Sequence, residues 1–330
     1  MIATHVTFAS PRHVKIGTVN VPPPAPDEVQ IETLFSGISS GTEGWALRNE
    51  FTWMPTPYSC IPGYQRVGII TALGSEVSGF QIGQRVFATM AQPVDGLHMM
   101  WGGHMSVANT LAGEVFPLDP AVDDIDAASG VVAQVGYNAA SRLTLTPGEW
   151  VVVYGDGLIG QGAAQAARLR GYRVILVGHR DKRLELGARY SADHTINRKT
   201  TAVPIHEAIL AITGGSKIRG LLDSVQTVSS EREYVAFLEN GVAQITYCGF
   251  TPGEAWADMA LLQQKQLTTH YVSGWTGKKI TATLQAMASG HIHMKELMTH
   301  IIPCTEAARA YDIIESKAAE SLGVTLDWTH

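Results

Sequence analysis

An α/β chain is expected, with a doubly wound parallel sheet joined to a second, β-rich domain. Three observations carry that expectation. The first part of the chain is a run of short strands punctuated by glycine turns. After about residue 123, strands alternate with helical stretches, the pattern of a parallel sheet built from strand–helix–strand units. The length of 330 residues also favours two domains over one.

In chain order, Val21-Pro22-Pro23-Pro24-Ala25-Pro26 is a stiff extended lead-in that cannot be helical. Val29-Gln30-Ile31-Glu32-Thr33-Leu34-Phe35 alternates with period two, as a half-buried strand does. Residues 66–74 and 85–88 read as further strands, with Gly79 and Gly83 marking the turns between them. The Ala-rich stretch 124–143 reads as helix. Pro147-Gly148 then introduces the apolar strand Trp150-Val151-Val152-Val153-Tyr154. Strands are expected at 173–177, 220–225 and 242–248, helices at 277–289 and 305–317, and a closing strand at 324–326.

Composition excludes several classes. Hydrophobic residues are 45% and charged residues 16%, which is too apolar for a disordered chain. A net charge of −6 argues against nucleic-acid binding. Three scattered cysteines, Cys60, Cys248 and Cys304, make neither a disulfide framework nor a four-cysteine zinc site. No stretch has the ~20 apolar residues of a membrane helix, and Met1-Ile2-Ala3-Thr4-His5 is no secretory leader. A soluble cytoplasmic protein with no membrane partner is the expectation.

The strongest motif is Gly155-Asp156-Gly157-Leu158-Ile159-Gly160, which sits between an apolar strand and the helical run from Gln161. Gly155 permits a tight turn, Gly157 lets a pyrophosphate approach the backbone, and Gly160 lets helix and sheet pack closely. The helix N-terminus supplies N–H groups to phosphate. NAD-binding units end the next strand with an acid. Here that strand is followed by Gly178, His179, Arg180, Asp181, Lys182 and Arg183. Loss of the acid at Gly178 removes repulsion of a 2′-phosphate. Arg180, with His179 and Arg183 nearby, can bond it, so the expected cofactor is NADP(H).

With these motifs the chain resembles the medium-chain dehydrogenase/reductase superfamily, the alcohol dehydrogenase group. The further anchors are Gly37-Ile38-Ser39-Ser40-Gly41-Thr42-Glu43, Pro62-Gly63-Tyr64-Gln65-Arg66-Val67-Gly68, residues 79–86 and Gly102-Gly103-His104. The resemblance implies a GroES-like catalytic domain over 1–122 and 273–330, a Rossmann dinucleotide-binding domain over 123–272, and a homodimer. Zinc-dependent members of this superfamily carry Cys, His and a third Cys or Asp as ligands. This chain has Ser39, Tyr64 and the stretch Val131-Val132-Ala133-Gln134 at those places, so no zinc is expected. In place of a metal, the Tyr64 phenol is the expected general acid, Ser39 and Thr42 are relay hydroxyls, and Glu43 orients them. His104 and Tyr137 are weaker donors, with His104 reading as a satisfied surface or domain-interface histidine. Trp45, Phe51, Trp53, Met54 and the stretch His98–Trp101 are candidates for a large apolar pocket or for ordinary core.

Three functions stay open. The first anchors look similar to the bacteriochlorophyllide dehydrogenase branch, which implies a zinc-free, NADP(H)-dependent interconversion of a secondary alcohol and a ketone on a large apolar substrate. A zinc-free enone or quinone reductase is the alternative. A non-catalytic NADPH-binding protein is the third.

Overall fold

The computed structural model describes residues 1–251, 257–316, 318 and 320–330. They form two compact units, Met1–Val131 with Thr276–Ser289 and Met298–His330, and Val132–Trp275 with Gly290–Leu297. The division therefore falls beyond the expected boundary at 122, and residues 290–297 join the second unit instead of the first.

The first unit opens with β1 (Ile2–Ser10), β2 (His13–Asn20), β3 (Glu28–Ile38), α1 (Thr42–Arg48), β4 (Cys60–Ile61) and β5 (Arg66–Leu73). It continues with β6 (Arg85–Ala88), β7 (His98–Met99), β8 (Val107–Leu111), β9 (Val115–Pro117) and α2 (Asp124–Ala127). The division between the units lies inside α3 (Gly130–Ala140). The second unit then runs β10 (Trp150–Tyr154), α4 (Leu158–Leu169), β11 (Arg173–Gly178), α5 (Asp181–Tyr190), β12 (His194–Asn197) and α6 (Ile205–Ile212). It ends with β13 (Gly220–Asp223), α7 (Val228–Tyr234), β14 (Gln244–Tyr247), α8 (Met259–Gln264) and β15 (Thr268–Tyr271). The chain returns to the first unit with α9 (Gly277–Ala288), β16 (Met298–Pro303), α10 (Ala307–Ser316) and β17 (Gly323–Asp327). Lys317, the last residue of the helix expected at 305–317, lies outside the described residues.

In the second unit six strands pair in the order β12-β11-β10-β13-β14-β15, all parallel. This is the doubly wound order with the first strand at the centre. The pleat of β10 sends Trp150, Val152 and Tyr154 into one core with Ile175, Leu221 and Ile245. It sends Val151 and Val153 into another with Ala163, Ala167, Val174 and Leu176. A strand covered on both faces must be apolar at every position, which is why β10 shows no alternation. Each such fully buried aliphatic side chain contributes roughly 1.5–3 kcal/mol.

The first unit is β-rich, as expected. Its larger sheet runs β16-β17-β3-β5-β6-β9, with β8 also on β3, and a smaller sheet runs β2-β1-β4-β7. Two readings need correction. Strand β3 is not half-buried: flanked by β17, β5 and β8, it buries even Gln30 and Thr33. The Gln30 amide is satisfied by donating to Asn109 Oδ1 at 3.1 Å and to the Pro22 carbonyl at 3.2 Å. The single helix expected over 124–143 is broken into α2 and α3. The Ala128 carbonyl accepts from Gly37 N–H at 3.2 Å, and Gly130 lies so close to Phe87 that a β-carbon there would meet its ring at 2.9 Å. Among the described residues no helix is long and apolar enough to cross a membrane.

Candidate active site

In the first unit, Ser39 follows the end of β3, Thr42 and Glu43 begin α1, and Tyr64 precedes β5. The fold brings these four residues together. The Tyr64 phenol is buried and hydrogen-bonds with the Ser39 and Thr42 hydroxyls. Burial pushes its pKa up to about 12. The Ser39 hydrogen bond opposes the rise, the Glu43 charge adds to it, and the Thr42 hydrogen bond opposes it again. The Trp101 indole packs edge-on against the Tyr64 ring with centroids 5.2 Å apart. Trp101 has φ +74, a strained backbone for a bulky residue. Its carbonyl accepts from Ala91 N–H at 2.8 Å, and the next residue, Gly102, donates to Ile61 at 3.1 Å.

Glu43 has a partner set larger than the sequence suggested. One carboxylate oxygen accepts the Ser39 backbone N–H at 2.8 Å. The other accepts the Tyr311 phenol at 2.6 Å and faces His104 Nε2 at 2.9 Å. His104 Nδ1 lies 2.8 Å from the Ser36 hydroxyl, which accepts the Trp328 indole N–H at 2.8 Å. Trp328 can only donate here. In the tautomer with the proton on Nε2, the ring donates to the Glu43 carboxylate and Nδ1 accepts from the Ser36 hydroxyl. Three donors meet the buried carboxylate, as a charge removed from water requires. His104 is therefore not a surface histidine: it is fully buried, and its partners Ser36 and Glu43 both belong to the first unit.

Gln65, next to Tyr64, bridges two backbone segments. Its amide nitrogen donates to the Gly37 carbonyl at 3.2 Å, and its oxygen accepts from Val131 N–H at 3.1 Å. A carboxylate could not supply the donor half of that bridge. Among the described residues no three His, Cys, Asp or Glu side chains form a set able to hold a metal ion. Glu43 and His104 face each other, 2.9 Å apart. Around Tyr64 the fold gathers the Ser39 and Thr42 hydroxyls and the Glu43 carboxylate. Of the apolar candidates, Phe51 and Met100 are buried, while Trp53 and Met54 are exposed. Trp45, Phe51 and Trp53 form a ring series with centroid spacings of 6.2 and 5.0 Å.

In the second unit, Gly155-Asp156-Gly157-Leu158-Ile159-Gly160 links β10 to α4. Gly155 has φ +110, a backbone that favours glycine. At Gly160 a β-carbon would lie 1.9 Å from the Gly155 carbonyl oxygen. Gly157 differs from both: it has ordinary extended dihedrals (φ −78, ψ 176), and a β-carbon there would meet nothing within 4 Å. No protein atom requires glycine at 157, which fits a cradle left open for a dinucleotide's phosphates at the N-terminus of α4. Leu158 and Ile159 are its first helical residues.

The adjoining strand end holds Gly178, His179, Arg180 and Arg183, as its order predicts. It also holds a carboxylate the linear reading did not place there. Asp156 Oδ2 accepts the backbone N–H groups of His179 at 2.7 Å and Arg180 at 2.9 Å. Its Oδ1 faces the Arg183 guanidinium at 3.6 Å. Burial, then the Arg180 charge, brings Arg183 down to about 10, still charged at neutral pH.

Sequence reasoning missed Ser36, Tyr311 and Trp328 at the Glu43 cluster and the placement of Asp156. Only Glu43 itself, an acid beside a small-residue turn, gave a local signal.

Two family models match the chain, the alcohol dehydrogenase GroES-like domain over residues 25–115 and the zinc-binding dehydrogenase over residues 159–289. The 2-desacetyl-2-hydroxyethyl bacteriochlorophyllide A dehydrogenase of Cereibacter sphaeroides is 25% identical over 99% of both chains. An Escherichia coli protein described as a short chain alcohol dehydrogenase, solved with NADH, has a TM-score of 0.83 at 22% identity, covering 99% of both chains. The quinone oxidoreductase of Escherichia coli, solved with NADPH, has a TM-score of 0.81 at 22% identity over 98% of this chain and 99% of that one. These two structural likenesses show the fold.

Proposed function

The chain belongs to the medium-chain dehydrogenase/reductase superfamily, and from that premise we propose that it is an NADP(H)-dependent oxidoreductase working without zinc. The reaction is the interconversion of a secondary alcohol and a ketone on a fairly large, apolar substrate. Its likeness to a dehydrogenase that, by name, acts on a hydroxyethyl bacteriochlorophyllide supports that class. The exposed Trp53 and Met54 beside Phe51 and Trp45 support an apolar binding surface.

The observation that carries the reading is the Tyr64 phenol with its two hydroxyl partners. Bound nicotinamide supplies the hydride or receives it. The protein's task is then the proton on oxygen. Held up near 12, the phenol stays protonated at neutral pH and can donate to an oxygen that gains negative charge. Ser39 and Thr42, bonded to the phenol, stabilise it as it gives its proton up. Glu43 holds the Ser39 backbone through its N–H, which keeps the hydroxyl in place.

For the cofactor, Arg180 is half-buried beside Gly178, within the loop that leaves β11. A guanidinium there forms charge-assisted bonds with a 2′-phosphate and has no such partner in NADH. Titration of the wild type with NADPH and NADH, followed by fluorescence, tests the reading. Arg180→Ala is expected to weaken NADPH about tenfold or more while changing NADH by less than about twofold. Equal losses for the two cofactors would remove the 2′-phosphate argument.

A further inference from the structure

The strand that ends at Gly178 lacks its acid, yet the position beside it is not free of negative charge. A β-carbon on residue 178 would lie 2.5 Å from Asp156 Oδ2, 2.6 Å from Asp156 Cβ and 2.8 Å from Asp156 Cγ. The space an acidic side chain would leave through is therefore filled by another carboxylate, which comes from the glycine turn. Glycine at 178 is required by that packing.

The charges around this point can be followed element by element. His179 and Arg180 leave β11, Arg183 projects from the first turn of α5, and Lys199 follows β12; the charges of Asp156, Arg180, Lys199 and Arg183 all reach His179. Asp181 is turned to another partner, accepting from Asn197 Nδ2 at 2.6 Å. Asp156 is only 3% exposed, accepts two backbone N–H groups, and pairs with Arg183. Those two N–H groups and that guanidinium are the kinds of donor a phosphate would use.

We propose that Asp156 is a specificity-determining residue for the cofactor's 2′ position. Its carboxylate takes up donors at the strand end and offsets one of the surrounding cations, so it holds the preference for a 2′-phosphate in check. The acid usually carried by the strand is thus supplied from the glycine turn, and the site accepts NADH as well as NADPH. This inference rests on the reading that the second unit binds NADP(H).

The test is direct binding, with no substrate needed. NADPH and NADH are titrated into wild type, Asp156→Asn and Arg183→Met, and the ratio of the two dissociation constants is the readout. Asn keeps an acceptor for the His179 and Arg180 N–H groups but removes the charge. Asp156→Asn is expected to shift the ratio roughly five- to tenfold toward NADPH, the size of one unit charge acting across several ångströms of partly solvated protein. Arg183→Met leaves the carboxylate unopposed and is expected to shift the ratio the other way; Asp156→Ser, also uncharged, tests the proposal if Asp156→Asn fails to fold. A residue that merely pins the turn would change both cofactors alike. An unchanged ratio in any folded variant therefore overturns the proposal. A wild type that binds neither cofactor overturns the proposed function, and this inference with it.

Discussion

Tyr64 keeps its proton because a phenolate in that buried place would be poorly solvated and would face Glu43, while two hydroxyls moderate the effect. The same burial makes it a donor of fixed direction, since Trp101 holds its ring edge-on. Tyr64→Phe removes one oxygen and leaves the ring packing. It is expected to lower carbonyl reduction by about 10²-fold or more, with NADPH binding unchanged. Strong chelators in the same assay should leave the wild-type rate as it was. A Phe variant with full turnover would move the acid to Ser39 or Thr42.

Asp223, at the end of β13, shows how one buried group sets a pH dependence. Burial raises its carboxyl pKa to about 6, against the backbone N–H groups of Gln226 and Val225 that favour the charge. The folded value lies above the unfolded one. The stability tied to this proton is therefore complete below the ordinary carboxylate value and is lost as pH rises through about 6. At about 1.4 kcal/mol per unit the loss is on the order of 3 kcal/mol. Asp223→Asn keeps an oxygen to accept from Val225 and Gln226, as Oδ1 does at 2.8 and 3.0 Å. Its stability gain over wild type is expected to grow from pH 4.5 to pH 7.5 in thermal melts. A difference that does not change with pH would contradict this.

At the scale of elements, the turn between β10 and α4 separates two kinds of glycine. Gly160 is demanded by the fold, because a β-carbon would strike a backbone oxygen. Gly157 is demanded by nothing in the protein. Gly160→Ala is expected to destabilise the chain by roughly 1–3 kcal/mol, as overpacking does. Gly157→Ala should melt within about 0.5 kcal/mol of wild type and yet bind cofactor more weakly. If both lose only stability, the turn is structural and not a cradle. The spacing of this turn was legible in the sequence because strand, glycines and helix lie within twenty residues and follow local backbone rules. The break between α2 and α3 was not legible. It depends on Gly37 and Phe87, which reach Ala128 and Gly130 only through the folded sheet.

For the molecule as a whole, the sequence by itself determined the class of fold and four of the parallel sheet's six strands, β10, β11, β13 and β14, but not its two edge strands β12 and β15. It did so through apolar runs, glycine spacing and the alternation of strand with helix, all of which act over a few residues. It also placed Ser39, Thr42 and Glu43 near one another, since a single turn carries them. Tertiary structure decided what each group faces. Glu43 meets His104 and Tyr311 across 61 and 268 positions, and Trp328 reaches Ser36 across 292. Asp156 fills the space beside Gly178 although 23 residues separate it from His179, whose N–H it accepts. A residue's type states which bonds it can make. Which partner it finds in a dry interior depends on chain segments packed together from far apart, and no local rule encodes that choice.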